Sequence, residues 1–180
     1  MADFEASDTD GCAPLEIDFY NYSSENALEF EWSFSGGSPP TSTAFEPTIV
    51  YDNPGTFSVT LTAINDLGQD VFTRTNYITI TAQPNANFTV ISNGLEAVFN
   101  SAGSVADAYN WNFGDGGTSN NANPTHIYAQ GGTYTVSLTV INDCGTDVHT
   151  MVLNITGSPV AQFSSNVVQG CAPLVVQYIN

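Results

Sequence analysis

Residues Tyr109–Gly145 read YNWNFGDGGTSNNANPTHIYAQGGTYTVSLTVINDCG, and the rest of the chain is best understood outward from them. Thr133–Val140 alternates Tyr134, Val136, Leu138 and Val140 with Thr133, Thr135, Ser137 and Thr139. Strict period-2 alternation predicts a strand with one buried and one wet face. Upstream, Tyr109–Phe113 reads as another strand, on which Trp111 and Phe113 share a side because successive side chains point to opposite faces. Between the two lie a Gly-Asp-Gly turn at 114–116, a polar loop, a short strand ending at Tyr128 and a second glycine turn. Strands that each keep one apolar face are the material of two packed sheets.

The motifs W-x-F-G-D-G (111–116), P-x-H-x-Y (124–128), G-x-Y-x-V-x-L-x-V (132–140) and N-x-x-G (142–145) closely resemble the PKD domain, an immunoglobulin-like β-sandwich of extracellular proteins. The same residues recur earlier in the chain. Trp32-Ser33-Phe34 answers Trp111-Asn112-Phe113 at a shift of 79, and Pro47–Tyr51 answers Pro124–Tyr128 at a shift of 77. Gly55–Leu61 answers Gly132–Leu138, also at 77, so the two-residue difference falls in a loop, where length changes cost little. Asn65-Asp66-Leu67-Gly68 answers Asn142-Asp143-Cys144-Gly145.

A third copy begins near the end. Ala161-Gln162-Phe163 and Gly170-Cys171-Ala172-Pro173-Leu174 answer Ala2-Asp3-Phe4 and Gly11-Cys12-Ala13-Pro14-Leu15 at a shift of 159. The expected organisation is therefore all-β: PKD-like sandwiches at 1–82 (the more divergent) and 84–157, and the first two strands of another at 158–180. Gln83-Pro84-Asn85 and Gly157-Ser158-Pro159 are short proline-bearing linkers, which favour a stiff head-to-tail rod in a longer array. Trp32, Phe34, Tyr51, Trp111, Phe113, Tyr128 and Tyr134 are the expected core anchors. Asp8-Thr9-Asp10-Gly11 reads as a short acidic loop.

Charge excludes several partners. The chain has 18 acidic residues and one base, Arg74, for a formal net charge of −17. Such a chain repels nucleic acid and anionic lipid headgroups. Its hydrophobic content of 42% is enough for real cores, while no apolar run approaches the ~20 residues of a membrane helix.

The immunoglobulin-like topology implied by the resemblance also orders the cysteines. Cys12 follows the first strand of domain one and falls at the pole where the chain leaves that domain. Cys144 precedes the last strand of domain two and falls at the pole where the chain enters. These poles face each other, so a Cys12–Cys144 disulfide between domains is expected. Cys171 would pair with a cysteine outside this segment, because reaching Cys144 would mean crossing two domain lengths when a bridge tolerates about 7 Å between α-carbons. Three buried free thiols are the alternative. Disulfide use points to an oxidising, extracellular location, and the Gly-Cys-Ala-Pro-Leu repeats resemble those of large bacterial surface adhesins, which implies a bacterial surface.

No catalytic constellation is visible, and the chain reads as a non-enzyme. His126 and His149 have no companion ligands at metal spacing. His126 occupies the histidine slot of the P-x-H-x-Y motif, where a structural hydrogen bond is expected, and His149 reads as a residue of the last strand. Calcium is the one cofactor with candidate ligands, Asp8, Asp10 and Asp143, which would converge from two domains at the junction. Domain one has Ser35-Gly36-Gly37 where domain two has Gly114-Asp115-Gly116, so the motif aspartate is lost there.

Three roles remain. The first is a non-catalytic structural or adhesive repeat, a stiff spacer contacting neighbouring PKD-like domains and a polysaccharide or surface protein. The second is a filament subunit joined by strand addition through 158–180. The third is an accessory carbohydrate-binding unit of a secreted hydrolase, for which Tyr20, Tyr22 and Tyr77 are the aromatics to watch.

Overall fold

The computed structural model describes residues 1–157 together with two short strands at 164–165 and 178–179. The rest of the expected third copy, including Cys171, lies outside the described residues. The described residues form strands and no helix.

In domain one, β1 (Phe4–Ala6), β3 (Leu15–Asn21) and β6 (Thr48–Tyr51) make a three-stranded sheet in the order β1-β3-β6. The facing sheet contains β2 (Asp10–Cys12), β4 (Glu29–Phe34), β5 (Thr41–Ser42), β7 (Gly55–Asn65) and β8 (Gly68–Thr81), in the order β2-β8-β7-β4-β5. Domain two repeats the plan. Its β9 (Thr89–Asn93), β10 (Glu96–Asn100) and β13 (Thr125–Ile127) form one sheet, ordered β13-β10-β9. Its β11 (Ala108–Asn112), β12 (Thr118–Ser119), β14 (Gly132–Asn142) and β15 (Gly145–Ile155) form the other, ordered β12-β11-β14-β15. Beyond them β16 (Ser164–Ser165) and β17 (Tyr178–Ile179) pair antiparallel.

Each sandwich has its own core. Trp32, Phe34, Tyr51, Trp111, Phe113 and Tyr128 all expose 2% or less of their surface, whereas Tyr134 is half-buried at the margin. The two-residue spacing of Trp32 and Phe34 brings their rings parallel on one face, 5.7 Å apart, and Trp111 and Phe113 lie likewise at 6.3 Å. The indole N–H of each tryptophan is not left bare. Trp32 Nε1 donates to the Ala44 carbonyl and Trp111 Nε1 to the Asn121 carbonyl, both at 2.9 Å. Each tryptophan thus fills the core and holds down the loop beside its strand, and truncation to Ala would cost about 3–5 kcal/mol.

Two features stand out, the first of them a departure from the sequence expectation. The expected acidic loop is in part a strand: Asp10–Cys12 pairs parallel with Thr79–Thr81 at the end of β8. Its Thr9 carbonyl and Ala13 amide complete that ladder with Thr79 and Thr81. Backbone groups at a bare sheet edge need partners, and this segment supplies them. The other feature is a bulge. Register shifts by two residues between Phe57/Ile78 and Val59/Arg74, whereas β14 and β15 pair without interruption from Gly132/Ile155 to Asn142/Gly145. Asn76 takes φ +52° there, its amide donating to Ser58 Oγ at 3.1 Å. The bulge turns Tyr77 against Phe4, with ring centroids 5.8 Å apart.

Candidate functional site

Two constellations stand out: the junction between the domains and the Gly-Asp-Gly turn of domain two.

At the junction, β2 carries Cys12 beside Thr81 on the last strand of domain one, and the β14–β15 turn of domain two carries Cys144. The two are joined in a disulfide with α-carbons 5.6 Å apart. Asn142 does double duty. Its Nδ2 donates to the Ala82 carbonyl at 2.9 Å, and its Oδ1 accepts the Cys144 amide at 2.9 Å, which sets the turn that presents the sulfur. From the linker, Gln83 Nε2 donates to the Ala13 carbonyl at 3.1 Å. One covalent and two hydrogen-bonded links therefore flank a linker of only a few residues.

The chain's entry into each domain is tied down in the same way. Asp70 Oδ2 accepts the Ala2 amide at 2.6 Å, and Asp147 Oδ2 accepts the Ala86 amide at 2.7 Å. The Ala86 amide, followed by that of Val148 and the nearby His149, holds the Asp147 carboxyl below the ordinary carboxylate range against a small opposing effect of burial. Sequence reasoning missed both aspartates. The signal available was their equivalence at a shift of 77, each two residues after the glycine of the N-x-x-G turn.

In the second constellation, Asp115 and His126 pair side chain to side chain, Oδ2 to Nε2 at 2.7 Å. Asp115 Oδ1 also accepts the Gly117 amide at 2.9 Å. Burial acts to raise the Asp115 carboxyl, but the His126 hydrogen bond, the Gly117 amide and the His126 charge together hold it below the ordinary range. The His126 ring stacks on Phe113 at 4.1 Å and meets Tyr128 edge-on at 4.6 Å. Tyr128 in turn donates to the Phe113 carbonyl at 3.1 Å, and burial, followed by the charges of Asp115 and Tyr134, pushes its phenol up to about 12. Gly114 is required for a reason visible in the backbone: at φ +84°, a Cβ there would lie 2.6 Å from the Thr135 carbonyl oxygen. The motif residues thus interlock around a buried ring stack, and the histidine takes part through hydrogen bonding and packing.

Domain one reaches the same fold with different chemistry. Ile49, fully buried, stands where domain two has His126, and Gly36 stands where it has Asp115. The polar pair is absent there: Gly36 lies against the Phe57 ring and Ile49 beside Gly37. Tyr51, the counterpart of Tyr128, has a buried hydroxyl with no hydrogen-bond partner, and burial pushes its phenol up to about 12. Arg74, the chain's one base, also serves packing. Its guanidinium lies 4.9–5.4 Å from the ring centres of Phe4, Phe72 and Tyr77 and 3.6 Å from Asp3.

The three aspartates proposed for calcium do not form a cluster. Among the described residues no group of three or more His, Cys, Asp or Glu side chains lies close enough to hold a metal ion. Asp8, Asp10 and Asp143 are each solvent-exposed, and Asp10 lies on a strand paired with β8 instead of in the expected loop. Of the watched aromatics, Tyr20 and Tyr22 are exposed, whereas Tyr77 is half-buried and its hydroxyl accepts the Ala6 amide at 3.1 Å. His149 lies in β15 and meets Phe88 edge-on at 5.1 Å. The described residues contain no helix long and apolar enough to cross a membrane.

Parts of the chain are similar to known proteins. A 38-residue stretch is 63% identical to collagenase ColA of Bacillus cereus, covering 21% of this chain and 4% of that protein. An 89-residue stretch is 36% identical to the pre-pro-metalloprotease PrtV of Vibrio cholerae, covering 46% of this chain and 10% of that one. The chain therefore spans a tenth or less of these relatives' length. The crystal structure of the PKD1 domain of PrtV matches at 35% identity with a TM-score of 0.39, covering 41% of this chain and 98% of that domain. The model of the PKD domain family matches residues 2–80 and again residues 81–157. The chain belongs to the PKD domain family, as two tandem copies.

Proposed function

We propose that this segment is a non-catalytic spacer of a longer extracellular protein, in which the junction holds two PKD domains in one fixed relative orientation. The observation that carries the reading is the junction itself: the Cys12–Cys144 bridge and the Asn142–Ala82 hydrogen bond cross from one domain to the other, and the Gln83–Ala13 hydrogen bond pins the short linker to domain one. A linker alone would leave the domains free to reorient, which is the default for domains sharing little interface. A bridge is also stable only in an oxidising compartment, which supports an extracellular location. The similarity to stretches of a collagenase and a metalloprotease supports one finer version, in which the spacer sets the distance between a hydrolase's catalytic unit and its neighbours.

Small-angle X-ray scattering on the full chain and on its Cys12→Ser/Cys144→Ser variant tests the proposal. The bridged chain is expected to scatter as one rigid particle, and the variant as a broader ensemble with a distribution of interdomain distances. Equal distributions in the two proteins would remove the fixed-orientation reading.

A further inference from the structure

Domain one carries an acidic groove whose glutamates have no acidic counterpart in domain two, built on the same plan. It is an open depression of about 570 Å³ on the outer face of the β2-β8-β7-β4-β5 sheet, floored by Glu31, Ser33, Thr60 and Thr62 and walled by Thr41 and Thr43. Along β4 a second depression, of about 280 Å³, continues it past Glu29 and Phe30 to Leu28. Phe45 packs edge-on against Phe30 at 5.3 Å, yet remains 56% exposed; Leu28 is 67% exposed. β5 pairs only with Trp32 and Ser33, so the β4 margin at 28–31 has no strand beside it among the described residues.

The internal duplication acts as a control for what the fold requires. Register equates Glu31, opposite Thr62, with Asn110, opposite Thr139, so Glu29 corresponds to Ala108 and Leu28 to Asp107. The carbonyls that hold the two indoles, Ala44 and Asn121, equate the next residues, Phe45 and Ala122. Domain two folds with alanine where domain one exposes a phenylalanine, and without either glutamate. The acid pair, Phe45 and Leu28 are therefore dispensable for folding this sandwich and set this face apart.

We infer that this groove is a docking site for an extended basic polypeptide segment, with lysine or arginine side chains at alternating positions facing Glu29 and Glu31. Two residues along a strand span about 7 Å, the same repeat that an extended peptide presents on one side. The two carboxylates and two alternate cations are thus in register. Side chains alternate along an extended peptide, so the residues between the cations point to the other side of the β4 margin, where Phe30 and Phe45 pack together and Leu28 is exposed. Charge complementarity is one-sided here. In a chain of net charge −17 the single base, Arg74, is engaged with Asp3 and three rings, so no Lys or Arg of the chain is left to neutralise Glu29 and Glu31. A polysaccharide fits less well, because Phe30 and Phe45 cross at 74° and offer no flat pair of rings for sugars to stack on.

Fluorescence anisotropy with a labelled peptide of alternating lysine and valine, titrated with the full chain, tests the site. Glu29→Gln/Glu31→Gln is expected to weaken binding about tenfold, as loss of two partly screened ion pairs implies. Phe45→Ala is expected to weaken it about threefold through lost apolar contact. A paired control, Glu5→Gln/Glu16→Gln, removes equal charge from the opposite sheet and should change affinity less than twofold. Circular dichroism melts check that the variants remain folded; all four glutamates are exposed. Equal weakening by the control pair would reduce the effect to general charge attraction and overturn the site. Displacement of the peptide by a neutral oligosaccharide, with Glu29→Gln/Glu31→Gln unaffected, would overturn it in favour of a glycan groove.

Discussion

Replacing both Cys12 and Cys144 with serine should uncouple the two domains, and the size of the effect follows from the length of the loop. The bridge joins residues 132 positions apart. A loop-closure entropy of −2.1 − 1.5R ln n gives about −17 cal/mol/K, so the bridge destabilises the fully unfolded chain by about 5 kcal/mol at 25 °C. When domain one unfolds alone, the loop is roughly 70 residues, and the same relation gives about 4 kcal/mol. The Asn142–Ala82 hydrogen bond left between the domains in the variant contributes about 1 kcal/mol and cannot replace it, and Gln83–Ala13 ties only the linker to domain one. Calorimetry should therefore show a lower-melting first transition in the variant, shifted by roughly 15 °C or more for a domain of this size. Urea unfolding followed by tryptophan fluorescence is a second reading, because each domain contains one buried tryptophan, Trp32 or Trp111. An unchanged first transition would refute the reasoning, since a bridge present only in the folded protein's geometry but absent in solution cannot constrain the unfolded chain.

Four further outcomes are expected. Gly114→Ala should destabilise domain two by about 2–3 kcal/mol, because it combines a positive φ with a contact of 2.6 Å to the Thr135 carbonyl oxygen; a calorimetric loss below 1 kcal/mol would show that the turn can relax. Tyr128→Phe should cost about 1 kcal/mol through its lost bond to the Phe113 carbonyl, while Tyr51→Phe, removing a buried hydroxyl without a partner, should be neutral or stabilising; equal losses in urea titrations would contradict this contrast. Asp115 is held below the ordinary carboxylate range when folded, so its contribution is complete above an unfolded pKa of about 4 and fades as pH falls through the lower folded value. The stability gap between the parent and Asp115→Asn should therefore close on acidification below about pH 4, and a gap constant to about pH 2 would remove the role of the His126 pair. Calcium at about 1 mM, the range of extracellular modules, should leave the melting temperature unchanged, because Asp8, Asp10 and Asp143 form no cluster; a rise of several degrees would call for a site built on backbone carbonyls.

Local pattern was enough for much of the fold. Period-2 alternation in β7 and β14 decided which side of each strand is buried, because strand geometry leaves a side chain only two directions. Repetition at shifts of 77 and 79 paired Trp32 with Trp111 and Tyr51 with Tyr128, and a core anchor needs the same volume wherever the fold is repeated. The spacing of these anchors was legible because it is written in contiguous residues. What tertiary structure alone decided are the contacts made by polar groups far apart in sequence. The parallel pairing of Asp10–Cys12 with β8 has no local signature, since it satisfies an edge created some seventy residues later. Asp70 and Asp147 likewise act on amides of Ala2 and Ala86, and neither clamp follows from propensity or alternation. The groove along β4 belongs to the same class. Glu29, Glu31 and Phe45 look like ordinary surface residues until the register of two duplicated sheets shows that only one domain keeps them. Hydrophobic periodicity is a local consequence of the backbone, whereas a hydrogen-bonded junction or a binding face depends on which distant residues the finished fold brings together.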